Sequence, residues 1–547
     1  MSRPEFNLLD MHFSRFLADR SRLGGADKDR FLHLVSTLSG AYDAGHACLP
    51  VSQSDALFLQ DIPLVSDGGQ TPLVLHNRRL YLHRYYHYEK RLAGQLSALA
   101  ATNVSLDVPE NLFERHFTSD GAGTDWQKEA ARIALRKTPT IICGGPGTGK
   151  TTTVVKILAL LLQVTGRKLD IALAAPTGKA AMRLSESIGS SLDRMQLPDE
   201  IARFLPTQAT TLHRLLGYRR HSPQFRHNRQ NPMGWDVVVV DEASMVDLAL
   251  MSKLVDALKP GARVVLLGDK DQLASVESGA VLGDLIKSLP ENSVELQKTY
   301  RFDDNIKQLA ASINRGDSAT AWALLAESAA ANIAVLQTDL IEYIGQQYAQ
   351  FMTEVARNPR PAVKDLFIAF NRFQVLCAVH FGARGVDGLN RRIELALARR
   401  GFSCRSESWY PGRPVLITRN DYSLDLFNGD IGICLPDSAN GSVQVWFERS
   451  AGGVRSYSPY RLPPCETVFA MTIHKSQGSE FDEVVVVLPE ADNRILSREL
   501  IYTAVTRAKK SVKLVTDQQV FKQALSRNIE RCSGLVDLLR EQSSRVP

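Results

Sequence analysis

Residues 144–151, with the sequence GGPGTGKT, constrain the fold of this chain more than any other segment. They satisfy the pattern G-x-x-x-x-G-K-[ST] and lie between a strand pattern, TIIC, and an apolar helix pattern, TTVVKILALLL. Glycines let backbone N–H groups approach phosphate oxygens, and the N-terminus of the following helix adds its positive dipole end. Lys150 is expected to bridge the β- and γ-phosphates of ATP, and Thr151 to bind Mg²⁺. The expected nucleotide contacts of this phosphate loop and its helix are Gly144, Gly145, Pro146, Gly147, Thr148, Gly149, Lys150, Thr151 and Thr152.

A run of four valines, Val237–Val240, ends in two adjacent carboxylates, Asp241 and Glu242. Asp241 would hold the magnesium ion, and Glu242 is placed to orient and deprotonate the attacking water. Two acids after a strand can also form a solvated turn, but their position about ninety residues after a phosphate loop favours catalysis. Together the two motifs predict an NTPase, a class that includes kinases, transporters, switches and motors.

Short apolar runs followed by Gly- or Asp-bearing loops predict the remaining architecture. The runs TIICGG, IALAAP, DVVVVDE and ARVVLLGD are typical of parallel strands buried on both faces. Similar apolar runs occur after about residue 290 and predict a second α/β domain. They are IAVL, DLFIAF, QVLCAV, RPVLIT, FAMTI, EVVVVLP and SVKLVT. Between about 420 and 463, NGDIGICL and SVQVWFE predict small antiparallel strands of a barrel-like insertion. We therefore expect an N-terminal domain over 1–118 and two α/β domains over 119–290 and 291–547.

Composition narrows the class of protein without deciding it. A chain of 547 residues is too long for one ordinary core, and apolar and charged fractions of 44% and 23% are typical of soluble globular proteins. The net charge of +6 and the pI near 8.8 permit a polyanionic partner. The longest apolar runs are far shorter than a membrane span, and the N-terminus has no signal-peptide pattern. Seven scattered cysteines without a C-x-x-C pair favour a reduced, cytoplasmic protein without a structural metal.

The N-terminal domain shows no catalytic pattern. Residues 80–100, LYLHRYYHYEKRLAGQLSALA, predict one long amphipathic helix. Its Arg, His and Tyr side chains could stack on nucleic acid, but a tyrosine stripe on a helix is more often core or protein interface. We expect this mainly helical domain to dock a protein partner.

Six further strings, in a fixed order, separate a motor from other NTPases. They occupy residues 175–181, 210–213, 267–273, 299–302, 472–481 and 502–508. With the two motifs above, they resemble the full motif set of superfamily 1 helicases over about residues 124–515. Within that superfamily, DWQKEAARIAL, GGPGTGKTTT, LAAPTGKAA, TLHRLLG, VVVDEASMVD, LLGDKDQLASVESGAVLGDL and TIHKSQGSEFD most resemble the RecD family.

The resemblance implies two RecA-like domains that close on ATP, with a small SH3-like insertion in the second. It implies that Gln127 reads the adenine edge, that Tyr300 stacks on the base, and that Arg301 and Arg507 reach the γ-phosphate. Gln272 would sense the γ-phosphate and relay its presence to DNA, although a surface role for Gln272 stays open. The resemblance thus adds Gln127, Tyr300, Gly478 and Glu480 as nucleotide contacts and Gln272, Arg301 and Arg507 as catalytic residues.

The resemblance also implies movement along single-stranded DNA in the 5′ to 3′ direction, with contacts mainly to phosphates. The residues expected to line the DNA groove are Thr177, Lys179, Thr211, His213, Thr472, His474 and Lys475. RecD-family members work with RecB-like and RecC-like subunits in exonuclease V, a heterotrimer that processes duplex ends in recombination repair and degrades linear DNA. We find no acidic nuclease pattern in this chain, so the nuclease is expected in the RecB-like partner.

Other functions stay open at this point. A stand-alone 5′ to 3′ helicase is one, although free-standing relatives carry a longer N-terminal extension than the roughly 120 residues before the P-loop domain here. A non-translocating ATP switch is another, against which the intact motif set argues. A small-molecule kinase would have no use for the motifs of the second domain. No strand-separating pin is assigned.

Overall fold

The computed structural model describes residues 7–102, 104–117, 125–195, 197–220, 222–275, 277–298, 304–326, 332–357, 363–404, 408–437, 441–449 and 453–543. Two of its sheets are parallel and carry helices between their strands, so the predicted α/β class is confirmed. None of the helices in these ranges is both long and apolar enough to cross a membrane.

Within residues 7–102 and 104–117, five helices and a small sheet form the N-terminal domain. The helices are α1 (Leu8–Ala18), α2 (Gly25–Asp43), α3 (Gln53–Gln60), α4 (His83–Ala101) and α5 (Glu110–His116); the strands are β1 (Leu49–Pro50), β2 (Val65–Ser66), β3 (Leu73–His76) and β4 (Arg79–Leu82), in the order β1-β4-β3-β2. The helix predicted over 80–100 was wrong in its first three residues. Leu80 and Tyr81 are buried in β4 and pair with β3, so the helix begins only at His83. Tyr86 is buried within α4, which supports the core interpretation of its tyrosine stripe.

A six-stranded parallel sheet with flanking helices forms the first α/β domain. Its strands are β5 (Thr140–Cys143), β6 (Ile171–Ala175), β7 (Thr210–Thr211), β8 (Val237–Val240), β9 (Arg263–Gly268) and β10 (Ser293–Glu295), in the order β10-β5-β9-β8-β6-β7. Its helices are α6 (Trp126–Arg136), α7 (Lys150–Thr165), α8 (Gly178–Met195), α9 (Asp199–Ala202), α10 (Leu212–Leu215), α11 (Leu248–Asp256) and α12 (Val281–Ser288). Because β10 pairs with β5, the first sheet includes residues beyond the predicted boundary at 290.

A five-stranded parallel sheet organises the second α/β domain. Its strands are β11 (Ile333–Val335), β12 (Phe373–Cys377), β18 (Ala470–Thr472), β19 (Phe481–Val487) and β20 (Ala508–Val515), in the order β11-β20-β19-β12-β18. Its helices are α13 (Asp304–Asn314), α14 (Ser318–Ala326), α15 (Leu340–Arg357), α16 (Val363–Phe370), α17 (Val386–Arg399), α18 (Arg498–Val505) and α19 (Gln518–Ser526). The strand predicted for DLFIAF was wrong, because this run forms α16. Phe367 and Phe370 are buried there while Ile368 is exposed, a helical alternation that a six-residue run does not reveal.

The insertion is an antiparallel sheet, as predicted, but it begins earlier and ends later than 420–463. Its strands are β13 (Pro414–Ile417), β14 (Ile431–Pro436), β15 (Val443–Glu448), β16 (Val454–Tyr457) and β17 (Cys465–Thr467), in the order β16-β15-β14-β13-β17. The run RPVLIT thus belongs to this sheet rather than to the parallel one, since Val415 of β13 pairs with β14 and β17. Whether the sheet is SH3-like stays a prediction.

After α19 the chain returns to the N-terminal and first α/β domains, where it forms α20 (Leu535–Ser543). The leucines of α20 pack into the core that α4 shares with the first α/β domain. Glu89 of α4 is fully buried where α4 contacts the segment before α20. Its carboxyl group accepts hydrogen bonds from Ser533 Oγ at 2.8 Å and from Gly534 N at 3.1 Å. Burial raises the pKa of Glu89 from 4.5 to about 7. The C-terminal segment is therefore tied to α4 at a carboxyl group that keeps its proton up to about pH 7 in the folded chain.

We predict that Glu89→Gln removes part of the pH dependence of stability. The folded chain keeps the Glu89 proton up to about pH 7, whereas the unfolded chain loses it above about pH 4.5, so stability should fall as pH rises between these values. From pH 5 to pH 7.5 the wild type should lose about 1 to 3 kcal/mol more than the variant. Denaturant unfolding across this range measures the difference, and parallel curves for the two proteins would contradict it.

Candidate nucleotide site and DNA interface

The phosphate loop connects the end of β5 to the start of α7. Gly147 and Gly149 have φ values of +78° and +83°, in the left-handed region where a side chain is strained. A Cβ on Gly149 would also lie 2.6 Å from the side-chain nitrogen of Gln127, so this glycine allows the two segments to meet. Lys150 Nζ donates to the carbonyl oxygens of Gly144 at 2.5 Å and Gly145 at 3.1 Å. The loop thus curls around the ammonium group at the N-terminus of α7.

Gln127 reaches the phosphate loop from the first turn of α6, which begins at Trp126. Asp125 caps that helix by accepting hydrogen bonds from the backbone N–H groups of Gln127 and Lys128 at 3.0 and 3.1 Å. Gln127, the predicted adenine contact, therefore lies against the phosphate loop.

Asp241 and Glu242 follow β8 at the same edge of the sheet. Glu242 has a φ of +51°, and its N–H donates to Asp241 Oδ1 at 2.9 Å. A non-glycine residue in this conformation stores backbone strain, which is concentrated at functional sites. Burial, and next the neighbouring Glu242 carboxylate, raise the pKa of Asp241 to about 6, while Lys150 opposes the shift. The pair is a concentrated negative site facing the ammonium of Lys150.

Arg507 is 2% exposed and comes from the second α/β domain, directly after α18. Its Nε donates to the carbonyl oxygen of Thr503 at 3.1 Å, and its Nη1 donates to that of Ser479 at 3.2 Å. Its Nη2 has no hydrogen-bond partner in the part of the chain that the structure describes. Two of the three guanidinium nitrogens therefore fix the side chain, and the third remains available.

A buried carboxylate of the first domain joins the two domains. Asp269 Oδ2 accepts hydrogen bonds from Gln272 Nε2 at 3.0 Å and from the Tyr502 hydroxyl at 3.1 Å. Leu273 extends the contact, because its N–H donates to Thr503 Oγ1 at 2.9 Å and its carbonyl accepts from Gln477 Nε2 at 2.8 Å. Burial raises the pKa of both Asp269 and Tyr502, so the Tyr502 phenol keeps its proton. Tyr502 is therefore the donor in this contact.

A second connection joins α8 to the segment before β19. Arg183 Nη1 donates to the Gly478 carbonyl at 3.0 Å, and its Nη2 lies 3.2 Å from Glu480 Oε2. Lys509 Nζ lies 3.7 Å from the same carboxylate oxygen. Sequence reasoning missed Arg183, Asp269, Tyr502 and Thr503; three of them stand inside recognised strings, which was the available signal.

A cleft of about 930 Å³ lies between the two α/β domains, with the phosphate loop on one wall and Arg507 on the other. The predicted residues that line it are Gln127, Pro146, Gly147, Thr148, Gly149, Lys150, Thr151, Thr152, Asp241, Glu242, Gln272, Gly478, Glu480 and Arg507. Gly144 and Gly145 contribute the carbonyl groups that bind Lys150. Tyr300 and Arg301 lie outside the described residues.

The three threonines predicted to contact DNA have the same local role. Thr177, Thr211 and Thr472 each lie at the carboxyl end of a parallel strand, and each accepts a hydrogen bond from the backbone N–H three residues later, at 3.2 to 3.3 Å. Thr177 and Thr211 share one edge of the first sheet, because Ala175 pairs with Thr211. All three hydroxyls therefore stand at the first turn of a helix, where N–H groups face outward.

The other predicted DNA contacts are partly buried. Lys179 lines a separate cavity of about 350 Å³ between α8 and the antiparallel sheet, and burial lowers its pKa to about 7. Burial also lowers the pKa of His213, whose ring packs edge-on against Phe225, and of His474. Lys475 Nζ lies 2.5 Å from Glu466 Oε1. Of the predicted DNA contacts, Lys179 alone lines this cavity.

Comparisons with known proteins assign the class. Residues 127–278 match the family model described as an AAA domain, and residues 467–515 match the UvrD-like helicase C-terminal domain. A solved Pif1 helicase structure, of two copies at forked double-stranded DNA, has a TM-score of 0.42 and 17% identity over 78% of this chain and 98% of that one. With the cleft above, the two family matches define an ATP-dependent DNA helicase.

The relatives identify the family. The chain is 42% identical to "RecBCD enzyme subunit RecD" of Mycolicibacterium smegmatis, over 86% of this chain and 84% of the relative. It is 34% identical to "ATP-dependent RecD2 DNA helicase" of Deinococcus radiodurans, over 79% of this chain and 54% of that protein. The chain belongs to the RecD family.

We predict that Arg507→Ala lowers kcat for ATP hydrolysis by about 10³-fold or more, because the substitution removes Nη2, the nitrogen expected to bind the γ-phosphate. Affinity for a non-hydrolysable ATP analogue should change far less than kcat. Lys510→Ala is the matched control, since Lys510 lies in β20, three residues after Arg507, with a side chain 74% exposed. Steady-state hydrolysis and thermal unfolding midpoints measure both variants; a well-folded Arg507→Ala protein with wild-type kcat would contradict the role.

Proposed function

We propose that this chain is an ATP-driven motor that moves 5′ to 3′ along single-stranded DNA as the RecD-type subunit of a RecBCD-type enzyme. The observation that carries the proposal is the cleft itself. Lys150 and the Asp241–Glu242 pair form one wall, and a buried arginine with a free nitrogen forms the other. A site completed only when two domains meet converts nucleotide binding into movement between them.

In this proposal the first domain binds ATP. Gln127 faces the base, the N–H groups of the phosphate loop and Lys150 hold the phosphates, and Gly478 and Glu480 close the site from the second domain. Thr151 and Asp241 supply hydroxyl and carboxylate oxygens, which are the ligands that Mg²⁺ prefers, and both line the cleft. A bound Mg²⁺ would offset charge on the phosphates.

Hydrolysis needs a positioned water and a group that offsets the charge developing on the γ-phosphate. Glu242, held by its left-handed backbone, is proposed to orient and deprotonate the water. Arg507 supplies charge from the opposite wall, and Arg301 is proposed to assist it. Gln272 is suited to detect the γ-phosphate because its side chain both lines the cleft and donates to Asp269.

The Asp269 contacts carry this signal between domains. A change at Gln272 reaches Tyr502 through one shared carboxylate, and Leu273 connects it to Thr503 and Gln477. Gln477 is only two residues from Lys475, a proposed DNA contact. The nucleotide state can therefore bias the domain arrangement and the grip on DNA together.

The DNA strand is proposed to contact Thr177, Thr211, His213, Thr472, His474 and Lys475, with Lys179 reaching it after the domains move. Helix-initiating threonines with outward N–H groups suit phosphates, so binding should weaken with salt and depend little on sequence.

We further propose that the chain assembles with RecB-like and RecC-like subunits and acts on duplex ends in recombination repair and in degradation of linear DNA. The support is the 42% identity to a protein named as a RecBCD subunit over most of both chains. The N-terminal domain offers a surface for docking, since Leu8 and Leu9 on α1 are 74% and 72% exposed.

The motor proposal predicts DNA-stimulated ATPase activity and unwinding of duplexes that carry a 5′ but not a 3′ single-stranded overhang. Lys150→Gln should abolish both activities, because the amide cannot supply the charge that the phosphates require. The assay uses the full chain, alone and reconstituted with RecB-like and RecC-like subunits. ATP hydrolysis that ignores DNA in both states would reject the motor and favour an ATP switch; activity of the monomer alone would favour a stand-alone helicase.

A further inference from the structure

Phe381 is an aromatic side chain that the fold holds in solvent. It is 77% exposed and lies in the loop between β12 and α17. Single exposed apolar residues are common on proteins, so exposure alone decides nothing. What distinguishes Phe381 is how its loop is built and where that loop lies.

The loop is fixed by backbone hydrogen bonds rather than by burial of its side chains. The N–H of Gly385 donates to the carbonyl of Gly382 at 3.0 Å, and those of Val386 and Asp387 donate to Val379 and His380 at 3.2 Å. A Cβ on Gly385 would lie 2.4 Å from the Phe381 carbonyl oxygen, so the tight turn requires glycine there. The backbone therefore presents the Phe381 ring to solvent in a defined position.

The loop stands beside the proposed DNA contacts of the second domain. Strands β12 and β18 are parallel neighbours, with Cys377 opposite Thr472, and the N–H of Ile473 donates to the Cys377 carbonyl at 3.0 Å. The carboxyl ends of both strands therefore open onto one edge of the sheet. Phe381 follows one strand end, and Lys475 follows the other.

Side chains connect the two segments directly. Glu466 places one carboxylate oxygen 2.5 Å from Lys475 Nζ and the other 3.7 Å from His380 Nε2. The His380 ring in turn packs against Phe381, with centroids 4.9 Å apart and planes inclined by 56°. The exposed Phe381 ring is thus connected, through His380 and Glu466, to Lys475, which is proposed to contact a DNA phosphate.

We propose that Phe381 stacks on an unpaired base of the DNA strand whose phosphates contact residues 472–475. Aromatic rings beside a phosphate-tracking cationic groove are how proteins hold single strands without reading sequence. The unpaired base fits better than an apolar protein surface because the ring that packs against Phe381 is that of His380, which lies near Glu466 and, through it, Lys475. This inference rests on the proposed motor function and adds to it a contact with bases.

The test compares binding of the full chain to a fluorescent oligothymidylate and to the same backbone carrying abasic positions. The wild type should prefer intact DNA, and Phe381→Ala should bind intact DNA about 5- to 100-fold more weakly while losing that preference. Phe381→Trp should retain it, because indole also stacks. Leu395→Ala, which removes another exposed apolar side chain from α17, should behave as the wild type. Thermal unfolding checks that each variant is folded.

The outcomes separate this inference from the motor proposal. Wild-type protein that binds neither DNA, alone or with its partner subunits, overturns both. Wild-type protein that binds DNA, together with a Phe381→Ala variant that still discriminates intact from abasic DNA, overturns only the stacking role.

Discussion

The arrangement of the motor depends on one buried carboxylate, Asp269, which is 2% exposed at the end of β9. A buried carboxylate must be satisfied by nearby donors. Here the Asp271 N–H and Gln272 Nε2 donate from its own domain, and the Tyr502 hydroxyl donates from the other. Removing Tyr502 from this contact leaves Asp269 short of a donor. Separation of the domains is therefore costly at this point, and the relative position of the two walls of the cleft is defined.

The same need for hydrogen-bond partners applies to buried Arg507. A buried guanidinium requires acceptors, and the carbonyl groups of Thr503 and Ser479 satisfy two nitrogens but leave Nη2. Across the cleft, burial and Glu242 raise the pKa of Asp241 to about 6. Each wall thus carries charge that is incompletely compensated by its own domain. A phosphate chain with its cation offers the missing partners to both walls, which is why nucleotide binding and domain closure are coupled in this account.

Local spacing made the first-domain site predictable. The phosphate loop and the Asp241–Glu242 pair are short strings whose chemistry depends on neighbours in sequence, and the parallel sheets follow from runs of buried apolar residues. Contacts between distant segments were not predictable: Asp269 and Tyr502 are 233 residues apart, and Leu80 and Tyr81 enter a strand although their sequence continues a helix pattern. The strand prediction for DLFIAF failed for a different reason, since a run of five apolar residues fits the period of a strand or of a helix. Phe381 carried no sequence signal, because only the turn around it reveals that it is exposed.

The most direct measurement of the central claim is hydrogen–deuterium exchange of the full chain with and without a non-hydrolysable ATP analogue. If the nucleotide joins the two walls, amides of residues 144–151 and of residues 502–508 should become protected together in the wild type, and only the former in Arg507→Ala. Protection confined to the first domain in the wild type would contradict the account, because ATP would then bind without engaging the second.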